Sequence, residues 1–223
     1  MRLNMGNNKV VGDQPIPIFL ILPFDLQNHN SYKSHPLLLA CLLFAGTVFA
    51  QQHLSFKGVP INGSLKEYTD AMVKAGFHYE GTQDGIALLT GDFAGYKGCM
   101  VGVSTLKNLD VVSRIAVLFP NKDTWSAVLT DYETLKAMLT EKYGTPSDSK
   151  EKFTGYVGDN HNGLIMHALK DGEYVWYTIF TTELGDIELT IMAGTEYATA
   201  CVRLSYYDKA NSEKVRNAVM DDL

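Results

Sequence analysis

Residues 123–146 read DTWSAVLTDYETLKAMLTEKYGTP. Trp125, Val128, Leu129, Tyr132, Leu135 and Leu139 recur every three or four residues, which lays an apolar stripe along one side of a helix. Asp131, Lys136 and Glu141 fall off that stripe. Asp123 offers a side-chain oxygen to the free amides of a first turn. Gly144 supplies a left-handed stop, and Pro146 forbids the helix to resume. A helix over about 124–143 is predicted. On both sides of it the apolar period changes from 3.6 to 2, and that change decides the fold class.

On the N-terminal side, 97–105 carries Cys99, Val101 and Val103 on one face. Residues 113–119 carry Ile115, Val117 and Phe119 on one face, and 86–90 reads as a further strand. Before them, Ser64-Leu65-Lys66-Glu67 is a capping box, and Leu65, Tyr68, Met72 and Ala75 follow at helical spacing up to Gly76. A helix over about 64–76 is predicted, preceded by a short apolar arm at 54–61 and an Asn62-Gly63 turn.

On the C-terminal side, strands are predicted at about 151–157, 164–169, 174–181, 187–192 and 200–207. Asp171-Gly172 reads as a hairpin turn between the second and third of these. A short helix starting at Asn211 closes the chain, with Val215 and Val219 on one side. The expectation is an α+β fold of two helix-plus-antiparallel-meander blocks in tandem, 51–121 and 122–223. The two form one continuous domain, with helices covering one face of the sheet. The shared element order has the form of an old duplication, without residue identity between the blocks.

The N-terminus reads as a leader. Lys33 and His35 precede an apolar run from Leu37 to Phe49. Val48-Phe49-Ala50 places small residues at the −3 and −1 positions of a cleavage site, and Gln51-Gln52 opens a polar stretch. Export with cleavage after Ala50 is expected. The run falls short of the roughly 20 residues of a membrane span, so none is expected after cleavage. Leu38-Leu39-Ala40-Cys41 has the form of a lipobox, but Cys41 sits inside the apolar run. Residues 1–32, with Pro17 and Pro23 interrupting their apolar part, fit no leader and read as translated upstream sequence.

The 223 residues are 46% hydrophobic and 20% charged, a globular composition, with a formal net charge of −6. Loss of residues 1–50 would make the chain one unit more negative. An acidic chain without a basic block has no electrostatic footprint for nucleic acid. Cleavage leaves Cys99 and Cys201. In an oxidising compartment the two can form a disulfide, the alternative being two separate buried thiols.

Several stretches carry a resemblance. Residues 56–63 read FKGVPING, 91–96 GDFAGY, 142–146 KYGTP and 207–211 YDKAN, before a closing Asp221-Asp222-Leu223. The chain resembles a group of uncharacterised exported proteins of Bacteroidetes-type bacteria over roughly all of 54–223. The element order is similar to the β-lactamase-inhibitory-protein-like architecture. The resemblance implies export and fold, and no activity or site residue.

Chemistry-bearing motifs are absent from the sequence: there is no G-x-S-x-G, P-loop, G-x-G-x-x-G or H-E-x-x-H, and the cysteines have no C-x-x-C partner. Asp159-Asn160-His161-Asn162-Gly163, near His167, is the densest polar cluster and has turn composition. Asn62-Gly63-Ser64 matches a glycosylation sequon already accounted for by turn and cap. The aromatics point to a surface. If Val175, Tyr177 and Ile179 face the helices, then Tyr174, Trp176 and Phe180 face the other way. Glu188, Thr190, Met192, Arg203 and Tyr207 would join them. The binding residues expected on this face are Tyr174, Trp176, Phe180, Arg203 and Tyr207. The reading is an exported, non-enzymatic binding or interaction protein of the cell envelope, periplasmic or secreted. No cofactor is expected, and the partner is a protein, a peptide or a glycan. Its alternatives are a hydrolase using Asp92, Asp159 or His161, and an envelope stress or assembly factor.

Overall fold

A computed structural model describes residues 52–105, 109–154, 162–194 and 198–221. The apolar arm is a small hairpin, β1 (Ser55–Phe56) and β2 (Val59–Pro60), turned by Lys57 and Gly58, both with positive φ. It plugs Leu54, Phe56 and Ile61 into the core, where the Phe56 ring meets those of Phe77, Phe93 and Tyr206. Helix α1 (Leu65–Lys74) has the predicted capping box. It ends on Gly76, where the Phe77 amide reaches back to the Met72 carbonyl and the Gly76 amide to that of Val73.

Four strands follow: β3 (His78–Gln83), β4 (Ile86–Phe93), β5 (Tyr96–Thr105) and β6 (Val112–Leu118). Strand β3 was not anticipated. Its turn, Asp84-Gly85 with φ of 52° and 79°, is the two-residue loop that suits hairpin twist. Helix α2 (Trp125–Tyr143) matches the reading of 123–146, except that its N-cap is Thr124 rather than Asp123. Val128, Tyr132, Leu135 and Leu139 are buried, and Trp125 and Leu129 pack beside them.

The second block holds β7 (Asp148–Phe153), α3 (Asn162–Lys170), β8 (Tyr174–Thr182), β9 (Gly185–Ala193), β10 (Ala200–Asp208) and α4 (Lys209–Asp221). The strand predicted at 164–169 is helix α3. Leu164, Ile165, Met166, Ala168 and Leu169 form a short apolar run whose period is ambiguous at that length. Asp171-Gly172 is therefore no hairpin turn. It is a helix stop: the Glu173 amide bonds the Ala168 carbonyl, the Gly172 amide bonds that of Leu169, and Gly172 has φ of 73°. Helix α4 starts before Asn211, capped by the Asp208 carboxylate, which accepts from the Asn211 amide at 3.0 Å.

The strands form one antiparallel sheet in the order β3-β4-β5-β6-β10-β9-β8-β7. Two four-stranded meanders thus meet along β6 and β10, and the fold is α+β with helices packed against the sheet. Alternate residues such as Leu89, Val101, Ile115, Leu204 and Leu189 are buried in the core shared with α1 and α2. Helix α3 lies beside α2, and α4 packs against β6, β9 and β10.

The expected disulfide is absent: Cys99 and Cys201 are both free and buried. Strand β6 lies between β5 and β10, so the two cysteine-bearing strands are about 10 Å apart at ordinary strand spacing, beyond the roughly 7 Å a bridge tolerates. Their parity also differs. Cys99 shares its face with the core residues Val101 and Val103, whereas Cys201 shares its face with Arg203 and not with Val202 and Leu204.

Candidate functional site: the open face of the sheet

On the sheet face turned away from the core, the strand register arranges side chains in rows. One row runs Thr190, Arg203, Leu118, Met100 across β9, β10, β6 and β5. The next runs Glu188, Ser205, Ala116, Gly102 and reaches Leu88 on β4. The third runs Asp186, Tyr207, Arg114, Ser104 and Ile86. The middle row is small at three adjacent strands, and a groove lies over Ala116 and Gly102 as its floor, with Ser205 fully buried in the next strand. Met100, Leu118 and Arg203 wall one side, and Ile86 and Arg114 the other. The cavity over β4, β5 and β6 has a volume of about 270 Å³.

Charge is concentrated at the β9–β10 end. An Arg203 Nη donates to Glu188 Oε1 at 3.0 Å, and the Tyr207 hydroxyl donates to Glu188 Oε2 at 3.2 Å. Both carboxylate oxygens of Glu188 are therefore engaged from within the protein. Arg114 pairs with no carboxylate among the described residues, and its guanidinium lies over the Tyr207 ring at 5.0 Å. Arg114 Nε, Arg203 Nε and Ser205 Oγ are buried without a hydrogen-bond partner, and Ser205 is fully buried. All three belong to residues on this face of β6 and β10.

The structure divides the five predicted binding residues. Arg203 and Tyr207 are on the open face, with Glu188, Thr190 and Met192 as expected. Trp176 and Phe180 are not: they share the helix-covered face with Thr178. Trp176 stacks edge-on against Trp125 of α2 at 4.8 Å, Phe180 is buried in the core, and Val175, Tyr177 and Ile179 take the open side. The alternation in 174–181 is apolar on both phases, and the larger aromatic set goes under α2 because Trp125 and Phe153 complete a cluster there. Tyr174 stands half-buried at the start of β8, packed against the core margin, and its hydroxyl is held above its ordinary value by burial. Arg114, Ala116, Leu118, Gly102 and Met100 were missed. The alternation of Ile115 and Val117 already put Arg114 and Ala116 on the other face. Their alignment with Gly102 and Ser205 needed the register.

A separate cavity of about 540 Å³ lies between α1 and edge strand β3. There Lys66 pairs with Asp70, Asp110 accepts from the Leu65 amide, and Tyr79 bonds Thr82. Among the residues considered for catalysis, Asp92 accepts from the Gly98 amide in the β4–β5 hairpin, and Asp159 and His161 lie outside the described residues. His167 of α3 pairs with Asp171, just past the end of that helix, at 2.8 Å. Among the described residues no cluster of three or more His, Cys, Asp or Glu side chains could hold a metal ion, and no helix is long and apolar enough to cross a membrane. No family model, curated protein or solved structure matches the chain.

Proposed function

We propose that this chain is an exported, non-enzymatic binding protein of the cell envelope whose working surface is the open face of the eight-stranded sheet. In this reading the mature protein is periplasmic or secreted, like the uncharacterised exported proteins it resembles. The observation that carries the reading is the composition of that face. A solvated face of an antiparallel sheet is ordinarily polar. Here Ile86 and Met100 are 40% and 42% exposed, Leu88, Leu118 and Met192 adjoin them, and an unpaired guanidinium stands beside them.

The test is made in the producing cell. A photo-crosslinking phenylalanine is placed at Met100 on the open face or at Met138 on α2, which is 49% exposed. The recovered protein is expected to begin at Gln51 and to form discrete adducts from position 100 and not from position 138. An N-terminus at a lipidated Cys41, or adducts from the helix side alone, would overturn the reading.

A further inference from the structure

We infer that the groove on the open face binds a single-chain amphiphile, an unbranched apolar chain lying over Gly102 and Ala116 with its carboxylate head at Arg114 and Arg203. The inference rests on the open face being the working surface, and it names the ligand class.

The floor of the groove selects the chain. Gly102 and Ala116 lie on β5 and β6, both interior strands paired on both sides. Their amides and carbonyls are spent in the ladder. A ligand lying across them finds no backbone donor or acceptor, so a peptide laid there would leave its own polar groups unpaired. A hydrocarbon chain has none to leave. The walls suit it: Ile86, Leu88, Leu118 and the adaptable Met100 and Met192. From β4 to β6 the floor runs two strand spacings, about 10 Å, and Arg203 of β10 stands at its end, a span that matches a medium-length chain.

The end of the groove selects the head. Arg203 is paired with Glu188 and Asp186 is exposed on the far side of Tyr207, whereas Arg114 makes no ion pair among the described residues and lies over the Tyr207 ring. One monoanion neutralises Arg114. The planar fork of a guanidinium fits a carboxylate with two parallel hydrogen bonds. Arg114 Nε has no partner within the protein to give up, and Arg203 on the opposite wall has an unpartnered Nε as well. A neutral glycan leaves Arg114 uncompensated, and a cation is repelled by it.

The experiment is calorimetric titration of the native protein with decanoate, decanol and acetate, repeated on Arg114→Gln and Gly102→Leu. A Cβ at Gly102 sits 3.5 Å from Ile86 Cγ2 and 3.9 Å from the Ala116 carbonyl oxygen, ordinary contact distances, so the new side chain fills the groove rather than the sheet. Decanoate is expected to bind one to one, and acetate not to bind. Arg114→Gln weakens decanoate at least tenfold and leaves decanol unchanged. Gly102→Leu removes both, with Gly102→Ala as a milder version should the larger side chain unfold the protein. Failure of decanoate to bind, or binding indifferent to both substitutions, would overturn the inference. If decanoate fails while position 100 still crosslinks, the open face keeps its role and the amphiphile alone is wrong. If position 100 is silent as well, both readings fall.

Discussion

Glycine 185 and glycine 102 show how differently two residues of one type are held. Gly185 opens β9 with φ of 151°, and a Cβ there would overlap the Tyr207 carbonyl and crowd the Lys209 amide, backbone atoms that cannot step aside. Gly102 has an ordinary strand conformation and room above it. Gly185→Ala is expected to cost about 3 kcal/mol through overlap and strain. Gly102→Ala is expected to be neutral or to stabilise by roughly 0.5 kcal/mol through the unfolded chain. Urea unfolding of the two variants checks this; equal losses would contradict the difference in surroundings. At Asn211, a fully buried side chain donates to the carbonyls of Ile61 and Val112, tying the first hairpin, β6 and α4 together. Nothing local at position 211 announces that role.

At the scale of elements, α1 and α2 are held by different forces. Helix α1 is short, and its cap is complete: the Glu67 amide donates to Ser64 Oγ at 3.2 Å, and the Ser64 amide donates to Glu67 at 3.0 Å. Helix α2 is long and buries a stripe in which Leu135 is 2% exposed. Ser64→Ala is expected to cost about 1 kcal/mol. Leu135→Ala is expected to cost roughly 2–5 kcal/mol, the loss of transfer energy plus a cavity. Denaturant melts that rank them the other way would mean that α2 is not anchored by that stripe. Helix α3 carries the complementary lesson. Nine residues with an apolar run satisfy strand and helix patterns alike, and burial of Met166 and Leu169 against the core selects the helix.

At the scale of the molecule, the first described residues are latched to the last strand. His53 Nδ1 lies 2.9 Å from the fully buried Asp208 carboxylate, which also accepts from the Leu54 amide at 2.8 Å and caps α4. The two sheet edges differ. Strand β7 presents Asp148, Lys150, Glu151 and Lys152, charges that discourage further strand pairing, whereas β3 carries the lone charge of Glu80 beside a bulge. Burial within this architecture also sets an alkaline limit. Cys201 is pushed up to about 11 by burial, against an ordinary 9.0, and burial raises Cys99, Tyr68, Tyr132 and Tyr206 as well. Groups kept neutral in the fold ionise more readily in the unfolded chain. The share from Cys201 is therefore present in full below pH 9 and gone once pH passes about 11. The urea midpoint is expected to fall between those values, and less so in Cys201→Ala; a flat profile in both would refute the linkage.

The amino-acid sequence by itself determined the strongly periodic elements, α1, α2 and most strands. Capping residues, glycine stops and a long 3.6-residue stripe are local facts that a few neighbouring side chains decide. It also determined the parity of β9 and β10, because Ile187, Leu189 and Ile191 alternate with polar residues. The tertiary structure decided the rest. Strand β8 is apolar on both phases, so only the Trp125 and Phe153 rings beneath α2 settled which way Trp176 points. The cysteines were separated by β6, a neighbour relation between strands distant in the chain. The groove exists because Gly102 and Ala116 stand side by side on β5 and β6 and the sequence-distant β10 brings Arg203 beside Leu118. That alignment is a property of register, which long-range pairing sets and no local pattern encodes.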